Sequence, residues 1–267
     1  MRLPIYQVDA FTGRLFAGNP AAVVLCDSEL PMEMMQSIAA ENNLSETAFV
    51  VLTEKDHQIR WFTPTVEVDL CGHATLAAAH VIFNHLKLSG DTVSFSSKSG
   101  PLLVRQDGEI LYLNFPADSI KAVEPMETLI SGLGVMPAEL YRGRDDFLAI
   151  FENEDRIARL DPNMALISKL PVRGVIVSSI GDEVDFVSRF FGPQSGVPED
   201  PVTGSAHTIL IPYWSKKLAR THLRARQISK RGGELECQDL GQRVEIGGQA
   251  VTYLVGEIFF GFGDGTI

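Results

Sequence analysis

Two short glycine-containing turns are the first places in the sequence where chemistry is expected. Cys71-Gly72-His73-Ala74 and Thr203-Gly204-Ser205-Ala206 each lead into an apolar segment of helical length. The start of a helix leaves backbone N–H groups without partners inside the helix, and the helix dipole adds partial positive charge there. Each turn therefore predicts a binding site for a carboxylate or phosphate group.

The two turns belong to an internal repeat. Arg60-Trp61-Phe62-Thr63-Pro64 returns 129 residues later as Arg189-Phe190-Phe191-Gly192-Pro193, and the turns at Cys71 and Thr203 lie 132 residues apart. A three-residue insertion in the second loop accounts for the difference. A lone Thr-Gly-Ser is more often a plain helix cap. The duplication favours two anion-binding turns that face each other across a cleft between similar halves.

Few titratable side chains lie next to these turns. His73 is suited to acid/base catalysis or to hydrogen bonding a substrate, and a structural cap is an equally good interpretation. Asp200, just before the second turn, is either an N-terminal cap or an acceptor for a substrate amine. Cys71 is better explained as a small buried residue than as a thiol base, because its counterpart Thr203 offers no second thiol.

Glu46 lies at a joint between two predicted elements. Pro31 to Asn43 has the pattern of an amphipathic helix, and Ala48 to Leu52 that of a buried strand. A carboxylate at such an edge is partly desolvated, which suits general-base catalysis. A solvated glutamate in a connection has the same local sequence, so the residues around Glu46 leave both interpretations open.

Five motifs spread over most of the chain match one known family. On these residues the sequence resembles the phenazine-biosynthesis isomerase-like (PhzF) family, relatives of diaminopimelate epimerase. The motifs are Val8-Asp9-Ala10-Phe11, Phe16-Ala17-Gly18-Asn19-Pro20-Ala21, Asn43-Leu44-Ser45-Glu46-Thr47, Arg60 to Pro64 with Cys71-Gly72-His73-Ala74-Thr75, and Gly196-Val197 with Glu199-Asp200-Pro201-Val202-Thr203-Gly204-Ser205-Ala206.

The resemblance implies a role for each candidate residue. It makes Glu46 the catalytic acid/base, with His73 and Asp200 as catalytic-site contacts that position the substrate or relay protons. The expected substrate-binding residues supply backbone N–H groups or line the pocket, and they are Asn19, Ser45, Gly72, Thr203, Gly204 and Ser205.

The reaction implied by the resemblance is a proton transfer that shifts a double bond in a small, cyclic, carboxylate-bearing substrate. It needs no cofactor and no metal, and the sequence lacks the Gly-x-Gly-x-x-Gly, Walker and His-Glu-x-x-His motifs. Homodimers are common among such proteins, so a homodimer is expected. An amino-acid racemase or epimerase on the same fold, and a binding protein without turnover, are the alternatives.

The fold expected from the repeat is α+β. Two pseudo-symmetric halves, residues 1–122 and 123–267, each form a β-barrel-like curved sheet around a central helix, as in diaminopimelate epimerase. The buried helices are expected at Ala74 to Leu86 and Ala206 to Leu218, which are apolar on nearly all sides. Pro212 is expected to kink the second helix or to mark an irregularity in it.

Composition excludes several other classes of protein. The chain has 267 residues, 45% of them hydrophobic, with a net charge of −11 and three cysteines. The negative charge argues against a nucleic-acid partner, and an odd number of widely spaced cysteines predicts reduced thiols. The longest apolar run, Ala74 to Phe83, is shorter than the roughly 20 residues that span a bilayer. With no signal-peptide pattern after Met1, we expect a cytoplasmic protein without membrane contact.

Overall fold

The computed structural model describes residues 2–259, which contain eighteen strands and six α-helices. The strands are β1 (Arg2–Ala10), β2 (Asn19–Cys26), β3 (Glu46–Val51), β4 (Asp56–Phe62), β5 (Glu67–Val68), β6 (Thr92–Ser97), β7 (Gly100–Asp107), β8 (Ile110–Pro116), β9 (Lys121–Ala122), β10 (Glu139–Arg142), β11 (Asp146–Ile150), β12 (Gly174–Ile180), β13 (Phe186–Gly192), β14 (Val197–Asp200), β15 (His222–Gln227), β16 (Gly233–Asp239), β17 (Arg243–Gly248) and β18 (Ala250–Phe259).

The helices are α1 (Met32–Asn42), α2 (Gly72–Val81), α3 (Glu127–Leu133), α4 (Glu154–Ala158), α5 (Met164–Ile167) and α6 (Gly204–Leu218). A π-helical turn, Ile82–Leu86, continues α2, and a 3₁₀ turn occupies Pro193–Ser195. Among these described elements, no helix combines the length and the apolar character needed to cross a bilayer.

Contacts divide the chain into two compact units. Among described residues, unit 1 holds those of 1–16, 20–113 and 249–267, and unit 2 holds 17–19 and 114–248. These units differ from the predicted halves in three places: the change falls at 113/114, the segment after 248 joins unit 1, and residues 17–19 join unit 2. The second difference arises because β18 pairs antiparallel with β1 along its whole length, from Arg2↔Phe259 to Ala10↔Ala250.

Unit 1 is a mixed sheet with one buried helix. β1 pairs with β2, β2 runs parallel to β3, β3 pairs antiparallel with β4, and β4 runs parallel to β6. The antiparallel strands β6, β7 and β8 follow. α2 packs on β1, β3 and β18. Because α2 is rich in alanine and apolar all round, almost all of its side chains are buried.

α1 forms the crossover between the parallel strands β2 and β3. Its buried residues Met35 and Ala39 pack in a cluster with Phe49 and Phe62, with Met34 and Ile38 partly buried beside them. The amphipathic helix predicted for this segment is therefore present, and its apolar face packs on the sheet.

Unit 2 repeats this arrangement. β11 runs parallel to β12, β12 pairs antiparallel with β13, β13 runs parallel to β15, and β15, β16 and β17 are antiparallel. The buried helix α6 packs on β15, β16 and β17. It continues through Pro212 to Leu218 as one unbroken helix. The outer helices α3, α4 and α5 cover a separate apolar cluster that contains Leu129, Ile157 and Ile167.

The sequence repeat corresponds to equivalent strands. In β4, Arg60 donates to both carboxylate oxygens of Glu67, at 2.7 and 2.9 Å. In β13, Arg189 makes the same fork with Glu199, at 2.7 and 3.0 Å. Each guanidinium also lies over the phenylalanine ring two residues further on, at 5.3 and 4.8 Å from the ring centroid. The predicted α+β fold, in which each half has a sheet and a buried helix, is confirmed.

Candidate active site

Glu46 is the first residue of β3 and lies opposite Ala21 of β2 in the parallel register. The chain reaches it through Asn43, which caps α1 in the left-handed conformation with φ of 50°. Asparagine tolerates this conformation better than most residues. The Glu46 side chain is 17% exposed, so its carboxylate is neither fully buried nor freely hydrated.

The Glu46 carboxylate meets the imidazole of His73. Glu46 Oε2 lies 3.1 Å from His73 Nε2, and Cys71 Sγ lies 3.5 Å from His73 Nδ1. His73 and Cys71 are both buried, in the first turn of α2 and at its N-cap. Within residues 2–259, Glu46 Oε2 accepts no aligned hydrogen bond. The structure therefore joins two of the three predicted catalytic residues with the thiol that the sequence left aside.

Charge and burial act in opposite directions on the pKa of His73. Burial lowers the pKa of His73, but the Cys71 sulfur and the Glu46 carboxylate raise it, and the net pKa lies well above the ordinary value. Burial, followed by the Glu46 charge, raises the pKa of Cys71. The Glu46 carboxylate therefore favours the protonated forms of both His73 and Cys71.

The native protein is expected to be unreactive toward thiol reagents. All three cysteines are buried. Burial raises the pKa of Cys26 to about 12 and also raises the pKa of Cys71 and Cys237. Because thiolates are the nucleophiles, Ellman's reagent at pH 8 should react at least about a hundredfold more slowly with native than with guanidine-unfolded protein. One fast equivalent that disappears in Cys71→Ala would contradict the burial of this thiol.

In unit 2, the segment before α6 is held by a hydrogen-bond network around Asp200. Asn19 Nδ2 donates to Asp200 Oδ1 at 2.8 Å and to the carbonyl oxygen of Val202 at 2.9 Å. Thr203 Oγ1 donates to Asp200 Oδ2 at 2.6 Å. Asn19, Asp200 and Thr203, all predicted site residues, are therefore brought together. Both oxygens of Asp200 accept hydrogen bonds from this network, so Asp200 holds the turn in place.

Three polar side chains that the sequence did not single out complete this region. Gln227 is fully buried, accepts from the Thr203 backbone N–H at 2.9 Å and donates to the Asp200 carbonyl oxygen at 2.8 Å. Arg173 donates to Ser205 Oγ at 3.0 Å and forms a two-point pair with buried Asp146. Gln227 and Arg173 lie 24 and 32 residues from the turn residues that they contact, and no local motif marked them.

The remaining predicted residues begin the two buried helices or precede Glu46. Gly72 and Gly204 are the first helical residues of α2 and α6, and neither N-cap side chain caps its helix. The first-turn N–H groups of a helix point along its axis and can donate to an acceptor outside the helix. Ser45 is half-buried immediately before Glu46.

Both helix starts also share a contact to the N-cap carbonyl. Thr75 Oγ1 donates to the Cys71 carbonyl oxygen at 2.5 Å, and His207 Nδ1 lies 2.8 Å from the Thr203 carbonyl oxygen. A carbonyl oxygen only accepts, so His207 carries its proton on Nδ1. The residue four positions after the N-cap thus contacts the N-cap carbonyl oxygen in both units, although the side chains differ.

His207 makes the folded state sensitive to acid. It is fully buried, and burial lowers its pKa to about 4, although the Thr203 carbonyl opposes this shift. The unfolded state binds the proton near the ordinary pKa of about 6.5. Stability is therefore complete above that pH and is lost as the pH falls toward 4, by about 2 kcal/mol between pH 7.5 and 5.

Urea unfolding at pH 7.5 and at pH 5 measures this loss of stability. In His207→Gln, the loss between the two pH values should be smaller by about 2 kcal/mol. Burial and His85 lower the pKa of His80 to about 4. His80 therefore adds its own loss of stability on acidification, and this part of the loss remains in His207→Gln. An unchanged difference in His207→Gln would show that His207 does not titrate in this range.

Comparisons with known proteins agree with this fold. A sequence model of the family described as "Phenazine biosynthesis-like protein" matches residues 8–256. An uncharacterized isomerase of Pseudomonas aeruginosa is 49% identical over 258 residues, which cover 97% of this chain and 99% of that protein. A solved structure of a PhzF family protein from Enterococcus faecalis is 46% identical with a TM-score of 0.95, covering 97% of this chain and 100% of the other.

The fold extends to more distant proteins. A hydroxyproline epimerase of Agrobacterium vitis superposes with a TM-score of 0.59 at 10% identity, covering 96% of this chain and 92% of the other. The fold and the relatives together define an enzyme of the isomerase class. The chain belongs to the phenazine biosynthesis-like protein family, which confirms the resemblance seen in its motifs.

Proposed function

We propose that this isomerase moves a proton on a small, cyclic, carboxylate-bearing substrate, shifting a double bond without a cofactor. The observation that carries the proposal is the 3.1 Å contact between Glu46 and buried His73. A carboxylate that is partly withdrawn from water and fixed by a charged imidazole is suited to accept a proton from carbon and to return it.

In the proposed reaction, Glu46 removes a proton from the carbon next to the unsaturated system. The electron pair of the broken C–H bond enters that system, and the same carboxyl group delivers the proton to another carbon. Atoms and electrons balance, and no redox partner takes part. His73 keeps the carboxylate in position through the 3.1 Å contact.

The negative charge that develops on the substrate needs fixed donors. The first-turn N–H groups at Gly72, Gly204 and Ser205 are suited to this, because preorganised donors stabilise a developing anion without reorganising. We propose that Thr203, Asn19 and Ser45 line the same substrate site and that Asp200 acts through the turn it holds. The proposal includes a homodimer, as the family resemblance implies, and a cytoplasmic location.

A second candidate function, an amino-acid epimerase, is favoured by the position of Cys71 beside His73. It requires a base on each face of the substrate carbon, and position 203, the counterpart of Cys71 in the repeat, is a threonine. Thiol alkylation that abolishes turnover would favour this candidate. Retained turnover in Cys71→Ala would favour the glutamate mechanism.

The test is a deuterium-exchange screen. Wild-type protein in D₂O is incubated with a set of small cyclic carboxylates and a set of amino acids, and NMR detects exchange at carbon. Exchange into an unsaturated carboxylate at two different carbons supports the double-bond shift. Exchange only at the α-carbon of an amino acid supports epimerisation, and binding without exchange supports a protein that has lost turnover.

A further inference from the structure

An exposed apolar surface lies along β18 in unit 1. Tyr253, Leu254 and Val255 follow one another in this strand, and Phe259 is its last residue. Phe16 lies beside Tyr253, with the two ring centroids 5.7 Å apart. These five residues form the β18 surface, and their exposed fractions are 69% for Phe16, 48% for Tyr253, 42% for Leu254, 60% for Val255 and 73% for Phe259. Three consecutive exposed apolar residues depart from the alternation of a strand that has water on one face.

The position of the Phe16 ring is fixed by its backbone. Phe16 has a φ of 67°, a left-handed conformation that is an outlier for a bulky residue. Its N–H donates to the buried side chain of Asp9 at 2.9 Å, and this hydrogen bond holds the loop. Strained conformations persist where the surrounding structure fixes them, and they cluster at functional sites. The chain therefore keeps a strained residue at a place where it holds an aromatic ring against Tyr253 and largely exposed.

We propose that the β18 surface binds the same surface of a second copy of this chain. The proposal rests on the homodimer of the proposed function and names the face that forms it. The size of the surface and its charge favour a second copy over another kind of partner.

The exposed area is close to what a dimer needs. Since a fully buried aromatic side chain covers roughly 150–250 Å², the exposed fractions of the five residues correspond to roughly 500 Å² in each copy. Apolar patches of this size often mark interaction sites. Each partner in a standard interface buries about 800 Å², so the β18 surface supplies the apolar centre and the residues around it supply the rim.

The charges at this surface favour a like partner. The whole chain carries a net charge of −11, so two copies repel each other wherever acidic surfaces meet. Glu257 is the only charged residue of β18, and it lies 3.5 Å from Arg2 of β1, which balances its charge. A basic partner would require an acidic surface instead. A neutral surface rich in aromatic residues is complementary to itself, as contacts across a twofold axis require.

The test is the oligomeric state of the whole chain, measured by sedimentation velocity over a range of protein concentrations. The wild type should sediment as a dimer. Val255→Lys should raise the dissociation constant of the dimer more than about a hundredfold, because the charge enters an apolar contact twice in a twofold dimer. Leu103→Lys replaces an apolar residue of β7 that is 49% exposed. It is the matched control and should remain dimeric.

A second variant tests the surface from another segment of the chain. Phe16→Asn removes the aromatic ring and supplies a residue that tolerates the left-handed backbone. It should raise the dissociation constant at least about tenfold. Circular dichroism of each variant checks that the fold is retained, so that a loss of the dimer is not mistaken for unfolding.

The outcomes separate the surface from the rest of the proposed function. A wild type that stays monomeric at every concentration overturns both the surface and the homodimer. A dimer that persists unweakened in folded Val255→Lys and Phe16→Asn protein overturns the surface alone, because another face then forms the dimer. The role of Glu46 is tested separately by deuterium exchange, since Glu46→Gln does not alter the β18 surface.

Discussion

Glu46→Gln is expected to lower the rate of substrate deuterium exchange by about 10²–10⁴-fold, the usual contribution of a general acid or base. Glutamine keeps the size of the side chain but cannot accept a proton from carbon. The backbone of β3 is unaffected, because its pairing with β2 and β4 uses main-chain groups. The measurement is NMR-detected exchange in D₂O with any substrate found in the screen.

Two further variants make this result specific. Glu41→Gln removes an exposed carboxylate five residues earlier, in α1, and should leave exchange unchanged. Glu46→Asp retains the carboxylate but withdraws it by about 1 Å, and a misplacement of that size costs about a hundredfold in rate. Wild-type exchange in folded Glu46→Gln protein would rule out Glu46 as the acid/base.

Arg173→Gln is expected to destabilise the protein by about 3 kcal/mol, because it leaves the buried carboxylate of Asp146 without its partner. Asp146 is 2% exposed, whereas the Arg173 side chain is 39% exposed. The guanidinium donates to both Asp146 oxygens and to Ser205 Oγ. Urea unfolding at pH 7.5, with the chain followed by fluorescence, measures the loss.

The exposures predict an asymmetry between the two partners. Asp146→Asn should cost less than Arg173→Gln, since the guanidinium that remains is exposed enough to be hydrated. Arg159→Gln, which breaks an ion pair that is exposed on both sides, should cost less than about 1 kcal/mol. Equal losses for Arg173→Gln and Arg159→Gln would show that burial of Asp146 carries no penalty.

The loss in Arg173→Gln should also depend on pH. Burial raises the pKa of Asp146 even with Arg173 present, and without the guanidinium the folded-state pKa rises further above the unfolded value. The folded variant therefore binds a proton more readily than the unfolded chain does, and its deficit relative to wild type shrinks as pH falls from 7.5 to 5. A deficit that grows on acidification would contradict this account.

The local sequence was enough to predict those features of the fold whose physical cause lies in neighbouring residues. The apolar stretches after Gly72 and Gly204 predicted buried helices, because a helix without a polar face has to be covered. The duplicated Arg-x-Phe segment predicted equivalent strands, and both copies carry the same arginine–glutamate fork. The contacts of Glu46 could not be predicted in this way, because the residues next to it in sequence are also compatible with a solvent-exposed connection.

The sequence by itself determined the α+β class, the repeated halves and the family, and through the family resemblance it predicted Glu46 as the acid/base. Periodicity and motifs are properties of residues close together in the sequence, so they can be recognised before the tertiary structure is known. Only the tertiary structure placed His73 and Cys71 at Glu46, tied Asp200 to Asn19 and Thr203, and brought Arg173 to Ser205. It also joined β18 to β1. These contacts link residues far apart in the chain, and packing of the whole sheet decides which of them meet.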